Sequence, residues 1–90
     1  MSDPLKGLKI RLTYRTVRVL SAAARAPGAS NRDLAEGAGI VDQGQISKLL
    51  GRLESLDLLE NRGEGQMKGA ANAWYLTVRG AHLERATRPR

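Results

Sequence analysis

Polar and basic residues between positions 43 and 55 have the chemistry of a surface that contacts a polyanion. Apolar residues at i, i+3, i+4 and i+7, namely Ile46, Leu49, Leu50 and Leu53, predict that the opposite face of this helix is buried. The polar face carries positive charge and little bulk, and it consists of Gly44, Ser47, Lys48, Gly51, Arg52 and Ser55. A solvated face without a partner is the alternative, but such a face would favour better helix formers than glycine. The pattern therefore favours a nucleic-acid contact over simple solvation.

The side chains of this helix suit different parts of a DNA duplex. Gln43 and Gln45 lie in the first turn, and a glutamine amide can pair with the N6 and N7 edge of adenine. Gly44 lies between them and allows close approach. Ser47 and Lys48 lie one turn further along and can reach bases or phosphates. Arg52, about two turns along, is expected to contact a phosphate.

Further candidate contacts flank this helix on both sides. Asn31 and Arg32 lie at the start of the preceding predicted helix, where free backbone N–H groups favour a phosphate. Arg62 lies at the base of a predicted hairpin, and Gln66 and Lys68 lie at its tip. We expect these residues to contribute to the same DNA-binding surface.

The composition agrees with a polyanionic partner. The 90 residues include 15 Lys and Arg against nine Asp and Glu, which gives a net charge of +6. Such a balance favours nucleic acid or an anionic membrane surface. No apolar run approaches the roughly 20 residues of a membrane-spanning helix, and the N-terminus lacks the apolar run of a signal peptide. We therefore expect a cytoplasmic protein that does not associate with a membrane.

The residue types argue against catalysis and against a bound cofactor. The chain has no cysteine, which excludes disulfides, thiolate metal sites and cysteine nucleophiles. His82 is the single histidine, and one histidine builds neither a histidine-rich metal site nor a convincing catalytic triad. We expect a protein that is not an enzyme, that holds no metal or cofactor, and in which His82 has a surface or packing role.

A predicted first helix precedes the elements that carry the candidate residues. Thr13 is the expected N-cap of a first helix that buries Val17, Leu20 and Ala24 and stops at Pro27 and Gly28. Its basic stripe comprises Arg11, Arg15, Arg18 and Arg25, and we expect it to be solvated, with contact to a phosphate or a partner as the alternative.

Ser30, whose hydroxyl can accept the N–H of Asp33, is the expected cap of a short second helix over residues 31–37. Its buried side is expected to be Leu34, Ala35 and Ala38. A tight turn over residues 37–39 should follow, with Ile40 filling its corner. Asp42 is the expected N-cap of the third helix, with Gln45 as its reciprocal capping-box partner and an end near Leu56.

Two apolar segments around a glycine-rich stretch predict a β-hairpin. The first includes Leu58 and Leu59, and in the second Trp74, Leu76 and Val78 alternate with other residues. We expect Trp74 to be core or a hairpin anchor rather than a base-stacking platform, because the chain has few aromatic residues. A short last helix should follow, with Thr77 as its cap, residues 78–86 as its span and Leu83 packed inward.

The order of these elements resembles the MarR-like winged helix-turn-helix family. The residues that carry the resemblance are 30–35, 39–40, 45–50, 52–54 and 75–80, within a similarity that spans Thr13 to about Leu83. The resemblance implies that the third helix enters the major groove of DNA, while the hairpin loop reaches the backbone or an adjacent minor groove. In that family, long terminal helices build a dimer and a ligand pocket, and the resemblance does not extend to them.

These features predict a mostly α fold with a small β-hairpin, a three-helix core plus wing and a short C-terminal helix. We expect a basic leader over residues 1–12, the winged-helix domain over 13–86 and a frayed end over 87–90. The expected function is sequence-specific binding of double-stranded DNA by a transcription regulator or by one module of a larger regulator. In isolation the chain should be a monomer or weak homodimer, since few surfaces remain for pairing. The alternatives are a winged-helix protein-interaction module, and RNA or non-specific nucleic-acid binding.

Overall fold

The computed structural model describes residues 13–63 and 72–88. Over these residues the elements are, in chain order, α1 (Tyr14–Arg25), α2 (Asn31–Ala38), α3 (Gln43–Ser55), β1 (Leu59–Asn61), β2 (Trp74–Leu76) and α4 (Val78–Thr87). The expected mostly helical α+β fold with a small hairpin is confirmed. Within the described residues, no helix combines the length and apolar character needed to cross a lipid bilayer.

Side-chain caps start α1, α2 and α4 at the residues that the sequence predicts. The hydroxyl of Thr13 accepts the N–H of Thr16 at 3.1 Å, and the hydroxyl of Thr77 caps α4. At α2, Ser30 and Asp33 form a reciprocal capping box, with N···O distances of 3.1 and 3.4 Å. Each cap satisfies an N–H group that lacks a partner within its helix, which typically stabilises a helix by about 1 kcal/mol.

Helices α2 and α3 end in the same Schellman arrangement. The N–H of Ile40 bonds back to α2 at 2.8 Å, and the N–H of Leu58 bonds back to α3 at 2.9 Å. This geometry needs a left-handed residue, which is Gly39 (φ 71°) after α2 and Asp57 (φ 61°) after α3. The expected tight turn before α3 is confirmed at Gly39, although Gly37 and Ala38 belong to α2, and Ile40 is buried at the turn as predicted.

The core lies where α1 packs against α2, α4 and β2, and where α3 packs against α2 and β1. Its largest fully buried side chains are Val19, Leu20, Leu34, Ile46, Leu50, Leu53, Leu58, Leu59 and Leu83. The buried faces expected for α2 and for the last helix are confirmed. The apolar side of α3 is confirmed at Ile46, Leu50 and Leu53, whereas Leu49 is only partly buried.

The face of α1 that turns inward differs from the prediction. Val17 and Ala24 are only half-buried, and the buried residues are Thr16, Val19, Leu20, Ala22 and Ala23. The cause is the close approach of α2, because a Cβ built on Gly37 would lie 2.9 Å from the Cβ of Ala22. This contact turns the alanine side of α1 toward the core.

The hairpin is antiparallel and pairs Leu59 with Leu76 and Asn61 with Trp74. The strand alternation is wrong at Val78, whereas the expected start of the last helix at this residue is confirmed, since Val78 is the first residue of α4 and is 90% exposed. The strand stops earlier because the Thr77 side chain accepts the N–H of Gly80 at 2.9 Å and so begins the helix.

The hairpin is also fastened to the segment between α1 and α2. Ala29 forms an isolated antiparallel bridge with Trp74, whose N–H donates to the Ala29 carbonyl at 2.9 Å. The Trp74 side chain is 4% exposed, so the expectation of a core or anchor role is confirmed. The bridge places the hairpin base beside the start of α2.

Candidate nucleic-acid interface

The start of α3 is held by a carboxylate that accepts two backbone amides. Oδ1 of Asp42 accepts the N–H of Gly44 at 2.8 Å and that of Gln45 at 3.1 Å. The predicted cap at Asp42 is confirmed, but the reciprocal Gln45 bond is wrong, since no such bond occurs among the described residues. The Gln45 side chain is exposed instead, so its amide is available to an external partner.

Six of the predicted contact residues lie on exposed positions of α3. We call this surface the α3 face, and it comprises Gln43, Gly44, Gln45, Ser47, Lys48 and Arg52. On the opposite side of the helix, Ile46, Leu50 and Leu53 are fully buried. The buried stripe fixes the rotation of α3 and thereby directs these six residues away from the core.

Gly51 lies among the residues of the α3 face, and packing within the described chain does not require a glycine there. A Cβ built on Gly51 would meet no atom within 4 Å. A helix loses about 1 kcal/mol by having glycine in place of alanine. The glycine therefore leaves open space on this surface at a cost in helix stability.

The cations of the α3 face are free of intramolecular ion pairs within residues 13–63 and 72–88. The ion pairs found there join Arg32 to Glu36, Arg62 to Glu60 and Arg88 to Glu84. Lys48 and Arg52 take part in none of them, and both are exposed. Their charge is thus available to an external anion.

A cation from α1 joins this surface, although the sequence favoured solvation of the basic stripe to which it belongs. Arg15 lines the same groove as Lys48 and Arg52. Arg18 and Arg25 of the same helix do not line this groove, and Arg11 lies outside the described residues. Arg15 is therefore the described member of the basic stripe that borders the α3 face.

Asn31 connects the hairpin to α2. Its Oδ1 accepts the indole N–H of Trp74 at 2.5 Å and the amide of Asn72 at 3.1 Å. Asn72 in turn accepts a hydrogen bond from Asn61 at 2.8 Å, which closes the base of the hairpin. The sequence prediction missed Asn61 and Asn72, since no local pattern pairs residues so far apart. The Asn31 oxygen is engaged in this network, which sets the hairpin beside α2.

The remaining predicted contact residues are spread around this surface. Arg32 is exposed, and its Nε lies 3.8 Å from Oε1 of Glu36. Arg62 pairs with Glu60, and its guanidinium stacks over the Tyr75 ring at 4.5 Å. The predicted residues at the hairpin tip, Gln66 and Lys68, lie outside the described residues.

A separate charged pair lies between α4 and α1. Glu84 is 4% exposed, and its carboxylate accepts three hydrogen bonds of 2.6 to 3.0 Å from Arg88. These bonds stabilise the ionised carboxylate and hold the pKa of Glu84 below its usual value. Both residues border a cavity of about 300 Å³ beside Tyr14 and Arg18, so they lie apart from the α3 face. His82 on the same helix is exposed.

Comparison with known proteins decides the fold. No protein-family model and no curated protein matches the chain. The PcaV transcriptional regulator from Streptomyces coelicolor matches with a TM-score of 0.71 and 27% identity, over 82% of this chain and 53% of that one. A MarR-family regulator from Silicibacter pomeroyi matches with a TM-score of 0.69 and 23% identity, over 83% of this chain and 49% of that one. The chain has the MarR-like winged-helix fold.

The MarR-like fold expected from the residues is thus confirmed, and both solved structures named above are transcription regulators. The crystal structure of FabT from Streptococcus pneumoniae is a complex with DNA. FabT matches with a TM-score of 0.71 and 18% identity, over 91% of this chain and 57% of that one. The chain spans about half the length of these structures. In this winged helix, α2 and α3 form the helix-turn-helix and the hairpin forms the wing.

Proposed function

We propose that the chain binds double-stranded DNA in a sequence-specific manner, as a transcription regulator or as the DNA-reading module of one. The observation that carries this proposal is the exposed α3 face on the helix that follows the tight turn at Gly39. Its cations Lys48 and Arg52 have no ion-pair partner among the described residues, and a net charge of +6 attracts polyanions. The DNA complex of FabT, a protein of the same fold, supports this proposal.

In the proposed complex α3 lies in the major groove, which is wide enough to admit a helix. Gln43, Gln45 and Ser47 reach base edges from the first two turns, where recognition helices meet bases. Lys48 and Arg52 lie further along and contact phosphates. Gly44 has no side chain, so the backbone of α3 can approach the groove closely at this position.

The flanking contacts of this complex come from α2 and from the wing. Arg32 and the N-terminal backbone of α2 at Asn31 face a phosphate, since a helix N-terminus favours an anion. The wing lies on the backbone or in the adjacent minor groove, through Arg62, Gln66 and Lys68. The Asn31 network supports this arrangement, because it ties the wing base to α2.

We further propose that the isolated 90-residue chain is a monomer or a weak homodimer. One recognition helix reads only a few base pairs, so a single chain should select a short half-site with modest affinity. Sedimentation equilibrium at micromolar concentration tests this proposal. A tight dimer under those conditions would contradict it.

The decisive experiment for DNA binding is selection of bound sequences from a random duplex pool at moderate salt. The wild type is compared with a Lys48→Ala, Arg52→Ala double variant. The matched control is Arg25→Ala, Arg85→Ala, which removes the same charge from residues that line cavities beside α1 and α4. Circular dichroism confirms that each variant is folded.

The proposal expects an enriched motif for the wild type and the control, and loss of that motif for the α3 variant. Absence of both retention and enrichment with the wild type would overturn it and favour the protein-interaction alternative. Retention without enrichment, with a steep dependence on salt, would overturn sequence specificity and indicate non-specific nucleic-acid binding.

A further inference from the structure

A groove of about 480 Å³ lies between the N-terminal end of α1 and one flank of α3. Arg15 borders it from α1, and Lys48 and Arg52 border it from α3. Its other lining residues are uncharged, and the least exposed of them are Thr16 and Leu49. Three cationic side chains from two helices therefore converge on one concave surface.

This concentration of charge has no compensation in the described part of the chain. Arg32, Arg62 and Arg88 each pair with a glutamate, whereas the cations of the groove pair with none of the acidic residues described. The like charges of the groove repel one another, so a bound anion would relieve that repulsion as well as attract each cation. The charge and shape of the groove thus complement an anion that is partly enclosed.

The groove also lies on one side of the α3 face. Positions 45, 49 and 52 follow at spacings of four and three, so they share the flank of α3 that faces α1. Ser47 and Gly51 lie four apart on the other side of the exposed face. A helix seated in the major groove would present one side to the bases and the flank to a bordering phosphate.

We infer that the groove between α1 and α3 binds a phosphate of the DNA backbone, and that Arg15 is a ligand of this phosphate together with Lys48 and Arg52. This inference rests on the proposed DNA binding and adds α1 to its contact surface. It assigns the cations along this flank to positioning the protein on the DNA backbone and leaves base contacts to Gln43, Gln45 and Ser47. An arginine suits this role because its guanidinium donates two parallel hydrogen bonds to a phosphate.

The test is equilibrium binding by fluorescence anisotropy over a salt series, on the selected duplex and on a scrambled duplex. Arg15→Ala should weaken binding to both duplexes by a similar factor of about ten to a hundred, since a hydrogen bond to a charged group is worth about one to two decades of affinity. The slope of log K against log salt should become shallower by about 0.9, the value for one phosphate contact on B-DNA. Arg15→Lys should restore most of that slope.

Arg25→Ala is the matched control, because Arg25 is an exposed cation in the last turn of the same helix. It removes the same charge about 15 Å away, at a rise of roughly 1.5 Å per residue. Equal affinities and slopes for Arg15→Ala and Arg25→Ala, with a wild type that binds selectively, would overturn the inference while sparing the proposed function. Weakening confined to the selected duplex would also overturn it, by making Arg15 a base contact. A wild type that binds neither duplex would instead refute the proposed function itself.

Discussion

Glycine-to-alanine substitutions at Gly80 and Gly51 should change stability in opposite directions, although both residues lie within helices. A Cβ on Gly80 would lie 1.9 Å from the carbonyl oxygen of Leu58 and 2.9 Å from its carbonyl carbon. A Cβ on Gly51 would meet no atom within 4 Å. The same methyl group therefore meets a backbone carbonyl in α4 and open space in α3.

The expected magnitudes follow from this difference. Gly51→Ala should raise the free energy of unfolding by about 0.5–1 kcal/mol, the usual helix-propensity gain. Gly80→Ala has the same helix-propensity gain, but its methyl group overpacks the contact between α4 and Leu58, which costs about 1–3 kcal/mol. It also displaces the Leu58 carbonyl, which accepts the N–H of Thr77 at 3.2 Å. Loss of that bond adds about 1 kcal/mol, so the net destabilisation should be about 1–3 kcal/mol.

Urea unfolding measures both effects. The single tryptophan, Trp74, is buried in strand β2 of the hairpin and reports on tertiary structure, while circular dichroism reports on the helices. The midpoints should shift in opposite directions with little change in the m-value. A Gly80→Ala protein as stable as the wild type would refute the reasoning about the α4 contact. A destabilised Gly51→Ala protein would refute the reasoning about open space in α3.

Three further outcomes are expected. Gly51→Ala should weaken binding to the selected duplex despite its more stable fold, because the added methyl group projects from the proposed contact surface; unchanged affinity in fluorescence anisotropy would show that the complex has room for it. Asp57→Gly should raise the free energy of unfolding by about 0.5–1 kcal/mol, since a left-handed conformation costs an L-residue about 1–2 kcal/mol and glycine's greater unfolded freedom offsets part of the gain; a lower urea midpoint would contradict this. The lowered pKa of Glu84 means that its pair with Arg88 stabilises the fold fully above the unfolded pKa, near 4.5, and that this stabilisation is lost as the pH falls through the lower folded pKa. Thermal unfolding of Glu84→Gln between about pH 7 and pH 3 should thus show a shallower acid decline than the wild type, and equal slopes would argue against this role of the pair.

The helix ends could be predicted from the sequence because their hydrogen bonds join residues close in the chain. Ser30 and Asp33 are three positions apart, and Gly39 directly follows α2. The buried face of α1 could not be predicted in the same way. Its run of alanines suits several rotations of the helix equally well, and the choice among them depends on the contact between Gly37 and Ala22. That contact exists only once α1 and α2 have packed together.

The hairpin shows the same division between local and distant information. Alternating apolar residues predicted Trp74 as a strand residue, but its partners Ala29 and Asn31 belong to a different part of the sequence. A polar asparagine at the start of α2 favoured a role as an external contact. Its actual hydrogen bonds to Trp74 and Asn72 depend on where the hairpin folds back, which no spacing in the chain reveals.

The candidate interface on α3 could be predicted because one buried stripe sets the direction of every other side chain of the helix. The buried stripe of α3 gives no information about Arg15, which lies on α1. Arg15 has no acidic residue three or four positions away that would neutralise it locally, but Arg18 and Arg25 share that property, so the sequence cannot choose among them. Tertiary packing makes the choice, because only Arg15 lines the groove beside α3. A difference in DNA affinity between the Arg15→Ala and Arg25→Ala proteins would therefore measure what packing adds to a pattern that the two residues have in common.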